Sequence, residues 1–268
     1  AVGRYLRLAD LWLPGRVTGW YLVGSLALDA FRPGRSDVDF VAVLDRELSP
    51  GELRRLRVVH ASAGLVNAAA AGIRRQPLLS GTCNGVFVRQ KDLTRPVLEI
   101  TPVASHAGHE FHVGRGFDAN PVTWKVLAER GIPIRGDAPA MLGLKPSPEQ
   151  LRGWNLANLH EYWQPWAERL IQQGPVPVAR LRPRWMTAWG VLGAPRLHHT
   201  IATGEVISKP AAGEYALATF SGRWHAIISE GLGYWHGTPA DPAFRSLELR
   251  ARATAEFVLE VVRTAEAL

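Results

Sequence analysis

Tyr21-Leu22-Val23-Gly24-Ser25, followed after ten residues by Ser36-Asp37-Val38-Asp39-Phe40, lays out a strand, a tight Gly-Ser turn, a short helix, a loop and a second strand carrying two carboxylates. Side chains at i and i+2 share one face of a strand, so Asp37 and Asp39 point together. Two carboxylates so placed repel unless a proton or a cation sits between them. Mg²⁺ fits that need, because it binds through one or two carboxylates plus substrate phosphates. Gly24 lets the backbone approach an anion closely, and the N–H groups opening the next helix, with the Ser25 hydroxyl, hold it. Together these parts describe a nucleoside-triphosphate site.

Working outward, residues 1–14 pattern as an amphipathic helix closed by Pro14-Gly15, and strands are expected at about 19–24 and 38–44. Ser49-Pro50-Gly51-Glu52 opens a long helix running to about Gly72, with Ser49 as N-cap, Pro50 at the first helical position and Glu52 three residues beyond the cap. Strands near 85–90 and 97–103, a helix around 121–130 and a strand at 132–135 follow. This mixture predicts an α/β unit, a mixed sheet with flanking helices. A Pro-rich break at Leu144-Lys145-Pro146-Ser147-Pro148-Glu149 divides the chain into residues 1–145 and 146–268. The second part reads as all-helical, with helices at 149–172, 178–203, 210–218, 221–236 and 241–267. Seven of the ten tryptophans lie there, so an aromatic core is expected.

With 268 residues, 47% of them hydrophobic, the chain has material for two cores. No apolar run approaches the ~20 residues of a membrane span, and Ala1 to Arg7 contains no signal-peptide core. Cys83 is the single cysteine, which leaves no intrachain disulfide and no cysteine zinc site and agrees with a cytoplasmic location. The net charge of +7 comes almost wholly from arginine, since Lys91, Lys125, Lys145 and Lys209 are the only lysines. Such charge attracts polyphosphates. The arginines are scattered and do not alternate with aromatics, so a nucleic-acid partner is not expected.

The wording Gly24-Ser25-Leu26-Ala27-Leu28…Arg35-Ser36-Asp37-Val38-Asp39-Phe40-Val41-Ala42-Val43 resembles the nucleotidyltransferase superfamily and, within it, the streptomycin/spectinomycin adenylyltransferases. The run Trp189 to Lys209, with Arg196, the Thr203-Gly204 turn and Lys209 opening a helix, is similar to the C-terminal domain of the same enzymes. The resemblance implies a nucleotidyltransferase domain at 1–145 and a helical domain at 146–268. It implies Mg²⁺-dependent transfer of AMP from ATP to a hydroxyl of a small molecule, with release of pyrophosphate. An aminoglycoside-type antibiotic is the acceptor it points to, and antibiotic resistance the role. Asp37 and Asp39 would be the catalytic residues and metal ligands. Gly24 and Ser25 would bind terminal phosphates, and Ser36 would bind phosphate or orient the D-x-D loop. Arg196 and Lys209 would meet the phosphates from the other domain. A helical second domain suits a two-substrate transferase, which must align a nucleophile with the α-phosphorus and exclude water.

The pattern breaks at one place. The superfamily often carries a third carboxylate on a strand after the long helix, yet Cys83-Asn84-Gly85-Val86-Phe87-Val88-Arg89-Gln90 has no acid, and Asn84 falls where a glutamate is expected. Asn accepts no proton and is a weak metal ligand beside a carboxylate. Glu99, on the strand expected at 97–103, and Glu110 are the substitutes, unless positioning and electrostatics suffice without a strong base. His106, His109 and His112 recur every three residues, but Gly108 and the lack of helical patterning argue for a polar loop lining the acceptor pocket rather than a zinc site. Arg180 to Trp189 contains no Asp or Glu, where the resemblance places an acidic drug contact; Glu161 and Glu168 are the acids available on the preceding helix. Two rival readings follow: a nucleotide-binding protein that has lost catalysis, and an RNA- or protein-modifying transferase.

Overall fold

The computed structural model describes residues 2–73, 83–108, 110–174, 182–239 and 241–268. The chain forms two compact units, Ala1–Ser147 and Pro148–Leu268. The first runs α1 (Val2–Trp12), β1 (Val17–Leu22), α2 (Gly24–Ala27), β2 (Val38–Leu44), α3 (Pro50–Ile73), β3 (Cys83–Arg89), β4 (Ala104–Ala107), β5 (Glu110–Val113), α4 (Pro121–Arg130) and β6 (Ile132–Arg135). Its six strands stand in the order β5-β4-β3-β2-β1-β6. Only β2 and β3 are parallel, joined by the α3 crossover; the other neighbours are antiparallel.

The long helix starts as its sequence demands. Ser49 Oγ accepts the Glu52 N–H at 3.3 Å while Glu52 returns a carboxylate to the Ser49 N–H at 2.8 Å, a reciprocal capping box. That backbone bond is the main reason the Glu52 carboxyl is held down to about 2, with Arg46 adding to it. Alternation along β2 sends Val38, Phe40, Ala42 and Leu44 to a face covered by Tyr5, Leu6 and Ala9 of α1 and Leu56, Val59 and Ala63 of α3. Trp20 stacks on Phe40 at 4.0 Å between centroids, with Phe87 edge-on to both. Asp39, Val41 and Val43 take the opposite face by the same alternation.

Two expectations need correction here. Residues 97–103 are not a strand: Val97–Glu99 is a single 3₁₀ turn, with Pro96 and Pro102 flanking a segment they cannot help hydrogen-bond into a ladder. The histidine segment is not a loop either. It is the β4–β5 hairpin, with Ala104 paired to Val113 and Ala107 to Glu110. His106 is buried, 3.7 Å between centroids from His60 and within hydrogen-bond reach of Tyr5 Oη, and burial together with the His60 charge holds its pKa well below the usual value. His109 lies outside the described residues.

The second unit is helical: α5 (Pro148–Asn158), a π turn (Leu159–Trp163), α6 (Gln164–Gln173), α7 (Pro183–Thr203), α8 (Lys209–Thr219), α9 (His225–His236) and α10 (Leu247–Ala265). The helix expected from 178 is seen from Pro183; 178–181 lie outside the described residues. The helix expected from 241 is a 3₁₀ turn, Pro242–Phe244, before α10, which Ser246 caps. Buried residues recur along α7 from Met186 to Ile201, against α6, α8, α9 and α10. Trp163 packs ring to ring against Trp166 and against Trp189 of α7, which stacks on Trp185. No helix among the described residues is long and apolar enough to cross a membrane.

Candidate active site

The Gly-Ser turn lies directly against the D-x-D strand. The Val23 N–H donates to the Asp39 carbonyl at 3.0 Å, and Gly24 begins α2 at a φ of +57°, a conformation that suits glycine. A methyl group on Gly24 would lie 2.0 Å from Asp39 Oδ2. The carboxylate therefore occupies the space a side chain would need. Next to it, the Ser25 hydroxyl oxygen is buried without a hydrogen-bond partner, a costly arrangement unless a ligand completes it. Ser36 is buried and immediately precedes Asp37. Its Oγ accepts the Arg32 N–H at 3.1 Å and its own N–H donates to the Arg32 carbonyl at 2.9 Å, so it fixes the loop ahead of the aspartates.

The parallel register sets Asn84 of β3 opposite Asp39 of β2. Its amide is used at both ends: Nδ2 donates to Asp37 Oδ2, and Oδ1 accepts the Gly108 N–H at 2.7 Å. Asn84 thus ties Asp37 to the turn of the β4–β5 hairpin. Burial pushes the neighbouring Cys83 thiol up to about 11, with the charges of Asp39 and Asp37 adding to the effect.

The substitutes expected for the third acid lie elsewhere. Glu99 ends the 3₁₀ turn, and Glu110 sits on β5 with its carboxylate 3.0 Å from His112 Nε2. The structure instead brings up Asp118, which the sequence did not single out. It lies in the loop between β5 and α4, and burial, followed by the charge of Asp37, raises its carboxyl to about 6. Its surroundings in sequence, Gly116-Phe117-Asp118-Ala119-Asn120-Pro121, advertise only a helix start, with Asn120 capping the Thr123 N–H at 2.9 Å. Among the described residues no three His, Cys, Asp or Glu side chains gather as a metal site. The hard-oxygen pair Asp37 and Asp39 suits a cation that completes its shell with phosphate and water, as Mg²⁺ does.

In the second unit, Gly204 closes α7 in the left-handed region (φ 76°), and Ser208 caps α8 through the Ala211 N–H. Arg196 Nε donates to the Ile207 carbonyl at 3.0 Å, which holds it beside the segment leading to Lys209. Lys209 places its ammonium 5.1 Å from the Trp189 ring centroid and 5.7 Å from that of Trp235. Arg184 is committed to Glu230 at 2.9 Å. Arg180 lies outside the described residues.

The Gly-Ser turn packed against the D-x-D strand lies within residues 6–64, which match the nucleotidyltransferase domain family and support an enzyme of the adenylyltransferase type. Residues 174–261 match the C-terminal domain of aminoglycoside adenylyltransferases, and it is these enzymes that the chain resembles. Among solved structures, spectinomycin adenyltransferase AAD(9) from Enterococcus faecialis, crystallised with ATP and spectinomycin, shares the fold with a TM-score of 0.65 at 13% identity, over 98% of each chain. No curated protein matches the chain.

Proposed function

We propose that this enzyme transfers AMP from Mg-ATP to a hydroxyl of a small molecule and releases pyrophosphate. The observation that carries the reading is the Asp39 carboxylate seated against Gly24 beside the unpartnered Ser25 hydroxyl. Ser25 and the N–H groups opening α2 would hold phosphate oxygens. Asp37 and Asp39 would hold Mg²⁺, which supplies positive charge against the triphosphate. Ser36 would keep the aspartate loop in place. Arg196 and Lys209 would take up charge as pyrophosphate leaves. An aminoglycoside or related amino sugar is the proposed acceptor class, resting on the likeness to an enzyme crystallised with spectinomycin. Resistance to such a drug and a cytoplasmic site of action follow from that proposal.

Asn84 favours a second reading, a nucleotide-binding protein without turnover. The two are separated by measuring pyrophosphate release from Mg-ATP against a panel of aminoglycosides, with mass spectrometry of the acceptors. An acceptor that gains one AMP, and ceases to do so in Asp37→Ala and Asp39→Ala, supports the transferase. Binding of Mg-ATP that requires both aspartates, without product, favours the second reading. Absence of nucleotide binding refutes both.

A further inference from the structure

The reaction needs a group to take the proton of the attacking hydroxyl, and Asn84 cannot be that group. The loop between β5 and α4 lies over the face of the sheet that carries Asp39 and Asn84. Val86 is two residues beyond Asn84 on β3, so it shares that face, and Ser105 of β4 pairs with Val86. Gly116 rests on both: a methyl there would be 2.7 Å from Ser105 Cβ and 3.3 Å from Val86 Cγ2. Ser105 Oγ donates to the Arg115 carbonyl at 2.7 Å. Beyond Gly116, the Ala119 N–H returns to the Gly116 carbonyl at 3.2 Å and Asn120 Nδ2 reaches the Phe117 carbonyl at 2.8 Å. Asp118 is therefore held between hydrogen-bonded neighbours on this loop, and burial, followed by the charge of Asp37, raises its carboxyl.

We propose that Asp118 is the catalytic base, a carboxylate delivered by a loop where β3 offers none. The inference rests on the proposed AMP transfer. As the acceptor oxygen bonds to the α-phosphorus, its proton passes to the Asp118 carboxylate. The bond from the α-phosphorus to the bridging oxygen breaks, and its electron pair leaves on pyrophosphate. Protonated Asp118 then returns its proton to water.

The test uses the full chain and Mg-ATP, following AMP transfer to acceptor and, as a reaction that needs no acceptor, slow hydrolysis of ATP to AMP and pyrophosphate. Asp118→Asn should lower kcat by ~10²–10⁴-fold, with KM for Mg-ATP within about twofold. Asp118→Glu should recover part of the loss, and so should Asn84→Glu added to Asp118→Asn. An unchanged kcat in Asp118→Asn overturns this inference alone and leaves the transferase intact. A loss of nucleotide affinity or melting temperature that accounts for the lost rate makes Asp118 structural and overturns it too. A wild-type chain that forms no AMP from ATP by either route overturns the reaction and the inference together.

Discussion

Adding one methyl group at Gly24 should separate activity from folding. Alanine at φ +57° costs about 1–2 kcal/mol in the left-handed region. Its Cβ would also stand 2.0 Å from Asp39 Oδ2 and 2.7 Å from Asp39 Cγ. Ordinary non-bonded contact needs about 3.5 Å, so the carboxylate must retreat by about 1–1.5 Å or rotate away. A displacement of that size at a reacting centre costs about 100-fold in rate, which is about 2.7 kcal/mol of transition-state stabilisation. Gly24→Ala should therefore lose at least that factor in kcat/KM for pyrophosphate release, while melting falls by only a few degrees at about 2–4 °C per kcal/mol. Asp39→Ala removes the obstacle, so Gly24→Ala should cost less stability in that background than in the wild type. Near-normal activity in Gly24→Ala would refute the claim that the turn sets the position of the carboxylate.

Three further outcomes are expected from the same geometry. His106, kept neutral by burial and by His60, takes up no proton on folding, whereas the unfolded chain protonates it near 6.5; stability should fall as pH drops below that value by about 1.4 kcal/mol per pH unit, and His106→Gln should flatten the slope seen in urea titrations. Glu230 accepts from Arg184, Arg250 and the Asp241 N–H inside the helical unit, so Glu230→Ala should cost about 3–5 kcal/mol, read by calorimetry; a loss below about 1 kcal/mol would contradict that role. Lys209→Met keeps an apolar stem between Trp189 and Trp235 but removes the charge, so KM for ATP should rise about tenfold with little change in melting, and an unaltered KM would remove Lys209 from the proposed phosphate site.

Local chemistry made much of the fold legible. Ser49-Pro50-Gly51-Glu52 specifies its capping box with no help from distant residues, and alternation along Val38 to Leu44 assigns Asp39 to the face away from the Trp20 and Phe40 core. One error came from reading alternation without its flanking residues, the others where tertiary context outweighed local pattern. Val97-Leu98-Glu99-Ile100 alternates as a strand does, yet the flanking prolines leave a 3₁₀ turn. His106 reads in sequence as part of a polar loop but sits in the core beside Tyr5 and His60, a contact spanning 101 positions in the chain for the Tyr5 pair. Asp118 was missed because nothing local distinguishes it: the influence of Asp37 on it arises only in the folded chain.

Asn84 and Asp118 are best understood as a linked pair. A third carboxylate on β3 would stand opposite Asp39 and against Asp37, where a bound cation would have to offset its charge as well. The amide at Asn84 instead donates to Asp37 and accepts from Gly108, so the same position stabilises the aspartate pair and anchors the hairpin turn. Under the proposal for Asp118, proton transfer is carried by a carboxylate that a loop supplies. An acid missing from the expected strand is therefore weak evidence against catalysis when a loop over the same face carries another, as Gly116 places this one.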